Sequence, residues 1–94
     1  MSEDLVGPVL EDGDAARAVI AAIRGLNPGV AIQDRGAYLR VQARHRCVVT
    51  RAAIEESLGR PFRLPGDLEC IMPAFKGRFS VSEDEASWSV GEAR

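Results

Sequence analysis

The order of apolar and polar residues predicts a chain of short strands and two helices. Residues 6–10 form a short apolar run that includes Pro8, and because proline lacks an N–H we expect an edge strand. A helix follows, because apolar residues then recur every third or fourth position. This predicted stripe consists of Ala16, Val19, Ile20, Ile23 and Leu26. The helix should stop at residues 27–29, since proline cannot continue it and disfavours helical geometry in the residue before it.

After residue 29, apolar and polar residues alternate one by one, and this pattern predicts two strands joined as a hairpin. Residues 30–33 and 37–43 flank a turn at Asp34, Arg35 and Gly36, where glycine can take a positive φ. In the second strand one face carries Ala37, Leu39, Val41 and Ala43, and the other carries Tyr38, Arg40 and Gln42. A second turn at Arg44 and His45 should lead into a third strand at residues 47–49.

A second helix is predicted over residues 51–58. Thr50 can cap its beginning, and Gly59 fits the left-handed position at its end. Pro61 should then direct the chain out of the helix, and Phe62 should fold back onto the core.

The last third of the chain reads as further strands. Leu68, Cys70 and Met72 alternate with Glu69 and Ile71, which predicts a strand between a turn at residues 65–67 and Pro73. Residues 79–81 and 86–90 predict a closing hairpin around the acidic turn 83–85. The chain is therefore expected to be α+β, with two main helices packed on a mostly antiparallel sheet. A length of 94 residues allows one domain, predicted at 6–90, between flexible tails at 1–5 and 91–94.

Charge is distributed unevenly although the net charge is only −2. Residues 1–14 hold five acids and no base, whereas residues 35–63 hold seven arginines against Glu55 and Glu56. A basic middle between acidic ends suits an oriented encounter with a polar partner. A solvated surface without a partner would give the same pattern, so the sequence leaves both interpretations open.

Cys47 and Cys70 are the two cysteines, and they lie far apart in the sequence. No signal peptide or long apolar run accompanies them, so we interpret them as buried, reduced thiols of a cytoplasmic protein. A bridge between them stays an open alternative.

Residues for catalysis are missing from the pattern. His45 is the only histidine, and with Cys47 and Cys70 it falls short of the four ligands of a zinc site. A His45/Cys47 nucleophilic pair would lack a third, orienting group. The glycines do not form a phosphate-binding loop, and the paired acids 55–56 and 83–85 read as solvated. An enzyme is therefore not expected.

Nucleic-acid binding is a weaker alternative. The seven central arginines could contact phosphates. Of the five aromatic residues, only Tyr38 is placed beside arginine on an outward strand face, so a stacking platform is not expected.

Several motifs, taken in order, resemble one family. Val6-Gly7-Pro8 comes first, then a helix ending in Asn-Pro-Gly, Asp34-Arg35 with Tyr38, a helix ending in Gly59-Arg60-Pro61-Phe62, and a Phe75-x-Gly77 step. This order is similar to that of the effector (coupling) proteins of soluble diiron monooxygenases, the MmoB/DmpM family. The resemblance covers roughly residues 6–90 and is nearest to the short effectors of toluene and alkene monooxygenases.

The resemblance implies a protein without cofactor, metal or catalytic residues of its own. Effectors of this family bind the diiron hydroxylase, change access of substrate and oxygen, and couple electron transfer to hydroxylation or epoxidation. The partner is then the hydroxylase oligomer, with a reductase and a ferredoxin in the same system, and the free effector is expected to be a monomer. A small α+β interaction module outside oxygenase systems is the main alternative.

The resemblance also implies roles for particular residues. Expected partner contacts are Met72, Pro73, Ala74, Phe75 and Lys76, with Val6, Gly7 and Pro8, which could order on binding, and Arg35 and Tyr38. Expected structural residues are Asp34, Gly59, Arg60, Pro61, Phe62 and Gly77. For the Asp34-Arg35 pair, turn formation with a charge pair is favoured over contact with the partner. Phe75 could equally be a core residue.

Overall fold

The computed structural model describes residues 4–91, which form seven strands and three helices. The elements are, in chain order, β1 Leu5–Glu11, α1 Asp14–Leu26, β2 Ala31–Asp34, β3 Tyr38–Arg44, β4 Arg46–Thr50, α2 Arg51–Leu58, α3 Gly66–Ile71, β5 Ala74–Lys76, β6 Arg78–Val81 and β7 Glu85–Ser89. The predicted α+β class is confirmed. Strand β1 begins inside the range predicted as a flexible tail, and the predicted tail residues 1–3 and 92–94 lie outside the described residues.

Two antiparallel sheets replace the single predicted one. The larger has the strand order β2-β3-β1-β5, and the smaller has the order β4-β7-β6. The chain passes from the larger to the smaller sheet at two corners of one residue each. His45 joins β3 to β4, and Gly77 joins β5 to β6, with φ values of 66° and 106°. A positive φ at each corner bends the chain so that both sheets face one core.

The core lies between the helices and the inner faces of both sheets. Inward residues of β1 and β3 oppose each other, as in the pairs Val6–Ala43 and Leu10–Leu39. The largest fully buried side chains include Trp88, Leu10, Ile23, Ile54, Leu68, Val19, Val41 and Val49. Of the predicted inward face of β3, only Ala37 is exposed, because it precedes the strand.

Helix α2 confirms its predicted bounds and caps. The Ala53 N–H donates to Thr50 Oγ1 at 3.2 Å, and Gly59 ends the helix in the left-handed conformation. Glu55 then fixes the following loop, because its Oε2 accepts from the Phe62 N–H at 2.8 Å and from Arg51 Nε at 3.0 Å. Phe62 is thereby turned into the core, as expected.

The edge position predicted for the first strand is wrong. Strand β1 lies inside the larger sheet, between β3 and β5. Its pairing with β3 skips Gly7 and Pro8 and resumes at Val9 opposite Arg40. Proline is tolerated there because the regular ladder, which would need its N–H, is interrupted at this point.

The strand predicted from Leu68, Cys70 and Met72 is also wrong, because residues 66–71 form helix α3. Leu68 and Met72 are four residues apart and both buried, whereas Cys70 between them is exposed. That burial follows the helical period, and a pattern of five residues is too short to distinguish the period of a helix from that of a strand by sequence.

Asn27, the residue that follows α1, is buried beneath the helix end, whereas Leu26 faces outward. Leu26 is 43% exposed, while Asn27, four residues after buried Ile23, is buried. The Asn27 side chain pairs with β4 like a backbone amide: Nδ2 donates to the Val48 carbonyl at 2.7 Å, and the Val48 N–H donates to Oδ1 at 2.9 Å. Nδ2 also donates to the Ile23 carbonyl at 2.7 Å. Asn27 thus ties the end of the helix to the outer edge of the smaller sheet.

Candidate functional site

An exposed aromatic ring marks one edge of the larger sheet. Phe75, on the three-residue strand β5, is 45% exposed, and its ring centroid lies 5.3 Å from that of Phe79. Phe79 stacks in turn on buried Trp88 at 5.4 Å. The Trp88 Nε1–H has no hydrogen-bond partner among residues 4–91. Phe75 is therefore the surface end of an aromatic stack that continues into the core, and not a core residue itself.

The residues around Phe75 form a short exposed segment, here called the aromatic edge: Pro73, Ala74, Phe75 and Lys76. A cleft of about 230 Å³ opens beside it between β1, β3 and β5. Met72, which was expected to belong to this segment, is only 8% exposed and packs in the core. Its place on the C-terminal end of α3, in line with Leu68, explains that burial.

Val6, Gly7 and Pro8 form part of the sheet and are buried. They are thus already ordered in the described chain, contrary to the expectation that they order on binding. Gly7 has a φ of 147°, and a Cβ at this position would collide with the Val41 carbonyl oxygen. This close approach accounts for the glycine in the Val-Gly-Pro motif without any partner.

The Asp34-Arg35 pair builds a turn, as expected. Asp34 Oδ1 accepts from the Gly36 N–H at 2.9 Å, and the Arg35 N–H donates to the Tyr38 carbonyl at 2.8 Å. The expected charge pair is absent, because the Arg35 guanidinium makes no ion pair within residues 4–91. Arg35 and Tyr38 are exposed, but Tyr38 opposes Glu11 whereas Phe75 opposes Pro8. Three residues of strand separate these levels, which is about 10 Å.

The remaining motif residues divide between architecture and surface. Pro61 and Arg60 are exposed, and the Arg60 side chain makes neither a hydrogen bond nor an ion pair inside the described range. Gly77 is structural, because a Cβ there would lie 2.8 Å from both the Ser89 carbonyl oxygen and Val6 Cγ1. The two sheets approach each other too closely at this corner for any side chain.

Reactive groups are scattered over the described chain. No three His, Cys, Asp or Glu side chains of residues 4–91 lie together in a group that could hold a metal ion. Both cysteines are free, and burial raises the pKa of the Cys47 thiol to about 12. The expectation that both thiols are buried is wrong for Cys70, which is exposed on the outer side of α3. None of the helices in this range has the length and apolar character needed to cross a membrane. Sequence reasoning missed Asn27 and the Phe75–Phe79–Trp88 stack, although the four-residue spacing of Ile23 and Asn27 was a usable signal.

The structure is that of a small α+β domain with an exposed aromatic edge. The chain belongs to the MmoB/DmpM family, whose model matches residues 4–89. It is 48% identical over 90 residues to the alkene monooxygenase effector subunit of Xanthobacter autotrophicus, covering 94% of this chain and 88% of that one. It is 39% identical over 56 residues to DmpM, the stimulatory component of phenol 2-monooxygenase from a Pseudomonas species, covering 60% and 62% of the two chains.

Solved structures agree with this assignment. A chain from a phenol hydroxylase–regulatory protein complex superposes with a TM-score of 0.82 at 28% identity, covering 93% of this chain and 99% of that chain. The regulatory protein B of soluble methane monooxygenase gives a TM-score of 0.70 at 25% identity, covering 97% and 67%. The relatives are effector, stimulatory or regulatory components of monooxygenase systems.

Proposed function

We propose that this protein is the effector subunit of a multicomponent monooxygenase and acts by binding the diiron hydroxylase. The observation that carries the proposal is 48% identity, along 94% of the chain, to an alkene monooxygenase effector subunit. Similarity to chains from phenol hydroxylase–regulatory protein complexes supports the same partner. An effector changes the hydroxylase by binding one of its conformations more tightly than another.

We further propose that the aromatic edge contacts the hydroxylase. Phe75 supports this, because a ring nearly half exposed on a 94-residue protein leaves apolar surface for a partner to cover. Pro73 and Ala74 add little side-chain entropy to be lost on docking, and Lys76 supplies charge beside them. Val6, Pro8 and Met72 are omitted from the proposed contact, because their side chains are buried. Arg35 and Tyr38 remain candidates at a separate place on the sheet.

Turnover tests the function directly. The purified hydroxylase and its electron-transfer partners are assayed with and without this protein, and both product and NADH consumed are measured. We expect faster turnover and more product per NADH when the protein is present. Unchanged rate, coupling and product distribution over the full titration would refute the assignment.

The proposed contact is tested by Phe75→Ala against a matched control, Leu26→Ala. Leu26 is a matched control because it is apolar and 43% exposed, close to the 45% exposure of Phe75. We expect Phe75→Ala to raise the Kd for hydroxylase by about thirtyfold, which corresponds to a hot-spot truncation of about 2 kcal/mol. Leu26→Ala should leave it unchanged.

Thermal unfolding separates contact from folding in the same pair of variants. Losing the Phe75–Phe79 ring contact should cost about 0.5–1.5 kcal/mol of stability in addition to the apolar area that the ring buries. A Phe75→Ala variant that melts much lower and binds normally when folded would show that the ring serves the fold alone.

We also propose a cytoplasmic location, supported by the two free cysteines, since reduced thiols persist in reducing compartments.

A further inference from the structure

Two corners of the chain bring four cations to one end of the molecule. In each corner a residue of positive φ stands between two basic residues: His45 between Arg44 and Arg46, and Gly77 between Lys76 and Arg78. The four flanking cations are called the corner cluster: Arg44, Arg46, Lys76 and Arg78. All four are exposed.

The strand pairing places both corners side by side. Arg46 and Arg78 each oppose Ser89 of β7, so their Cα atoms lie two strand spacings apart, about 9.5 Å. Arg44 opposes Leu5, and Lys76 opposes Gly7, on the two sides of β1.

Contacts of His45 and Gly77 with the same two segments of the chain hold the two corners next to each other. The His45 N–H donates to the Asp4 carbonyl at 2.7 Å, and its own carbonyl accepts from the Val90 N–H at 3.0 Å. Gly77 packs against Val6 and Ser89. The corners are therefore held together by the beginning of β1 and the end of β7.

All four side chains belong to the outer faces of the sheets. Arg44 alternates with buried Ala43, and Arg46 and Arg78 alternate with Cys47 and Phe79, which pack in or on the core. Lys76 belongs to strand β5, all of whose residues are exposed. No member of the corner cluster forms an ion pair among residues 4–91. The acid that contacts the corners is Asp4, whose carboxylate lies 3.5 Å from His45 Nε2.

We propose that the corner cluster is an electrostatic docking surface for an acidic patch on the hydroxylase, continuous with the aromatic edge. This inference rests on the proposed function. Lys76 belongs to both surfaces, so a partner seated on Phe75 necessarily covers or borders the cluster. Four exposed cations held side by side at two adjacent corners of a net-negative protein can orient its approach to an acidic surface. The main effect is expected on the association rate, because rim charges steer encounter more than they hold the complex.

The test is a charge reversal, Arg46→Glu/Arg78→Glu, measured as association kinetics with purified hydroxylase over a range of salt. Steering raises association rates by about 10 to 1,000-fold, so we expect at least a tenfold slower rate at low salt, converging on wild type at high salt. The control is Arg24→Glu/Arg60→Glu, which makes the same charge change at two exposed positions of the helical side. Far-ultraviolet circular dichroism confirms that both variants are folded.

The outcomes are distinguishable. If wild type does not bind hydroxylase at all, the proposed function fails. If wild type binds, and both double variants associate alike with the same salt dependence, only the docking surface is overturned. Tight binding of wild type to a duplex or single-stranded oligonucleotide, lost in Arg46→Glu/Arg78→Glu alone, would overturn it in favour of a nucleic-acid surface.

Discussion

Replacing Asn27 by alanine should destabilise the protein more than any exposed polar substitution. The change removes the three side-chain hydrogen bonds to Ile23 and Val48, of 2.7, 2.7 and 2.9 Å. The Ile23 carbonyl keeps its bond from the Asn27 backbone N–H at 2.9 Å. The Val48 N–H and carbonyl keep no side-chain partner, and Val48 is half-buried.

The magnitude follows from those two groups. A polar group left without a partner on burial costs about 1–3 kcal/mol, and the partial exposure of Val48 places each of its two groups near the lower end, at about 1–1.5 kcal/mol. We therefore expect Asn27→Ala to lose about 2–3 kcal/mol. For a domain of this size, that corresponds to a fall in Tm of about 10–20 °C.

Urea unfolding followed by circular dichroism measures the loss, with an unchanged m-value as the sign that both states are otherwise intact. Gln33→Ala is the control, because Gln33 is an exposed amide on β2 and should change stability by less than about 0.5 kcal/mol. A loss below about 1 kcal/mol for Asn27→Ala would refute the reasoning, since it would mean that water replaces the hydrogen bonds of the Asn27 side chain without penalty.

Asn27→Asp sharpens the same test. One carboxylate oxygen can still accept from the Val48 N–H, but the other would face the Ile23 and Val48 carbonyls that Nδ2 now contacts at 2.7 Å. We expect this variant to be at least as unstable as Asn27→Ala at neutral pH. Its deficit should shrink in acid, where a protonated carboxyl can donate to a carbonyl.

Three further predictions concern the corner, the second helix and the thiols. Gly77→Ala should unfold well below wild type, because the added Cβ would meet a carbonyl and a side chain at 2.8 Å; equal Tm values would contradict this close approach. The pKa of Glu55 lies below its ordinary value of 4.5, because its carboxylate accepts hydrogen bonds from the Phe62 N–H and, with a smaller effect, from Arg51. The stability that Glu55 contributes is therefore fully present above pH 4.5 and is lost as the pH falls through the lowered pKa. Glu55→Gln should therefore lack that part of the acid dependence in pH-series melts. A thiol reagent should label Cys70 in the native protein and Cys47 only on unfolding, which mass spectrometry of the labelled peptides checks.

Local signals allowed the second helix to be predicted to the residue. Thr50 and Gly59 act on the backbone beside them, through a side-chain oxygen and a left-handed conformation, so no tertiary context was needed. The turn at Asp34 was predictable for the same reason. The stripe of α1 was also correct as far as Ile23.

Errors arose where distant contacts decide the structure. Proline suggested an edge for β1, yet β5, which returns some 65 residues later, pairs on its other side. Asn27 is buried because Val48 offers it two hydrogen bonds, and no local rule anticipates that partner. In the candidate site, the burial of Met72 depends on α3, whose short apolar pattern suits a strand equally well.

The aromatic stack gives this protein a built-in spectroscopic probe. Trp88 is the only tryptophan, and only Phe79 lies between its ring and that of Phe75 in the stack. Biosynthetic incorporation of 5-fluorotryptophan would therefore place a single ¹⁹F nucleus two rings inward from the aromatic edge. Its resonance would stay resolved in a large complex with unlabelled hydroxylase, so docking could be observed from inside the effector without a label on either surface.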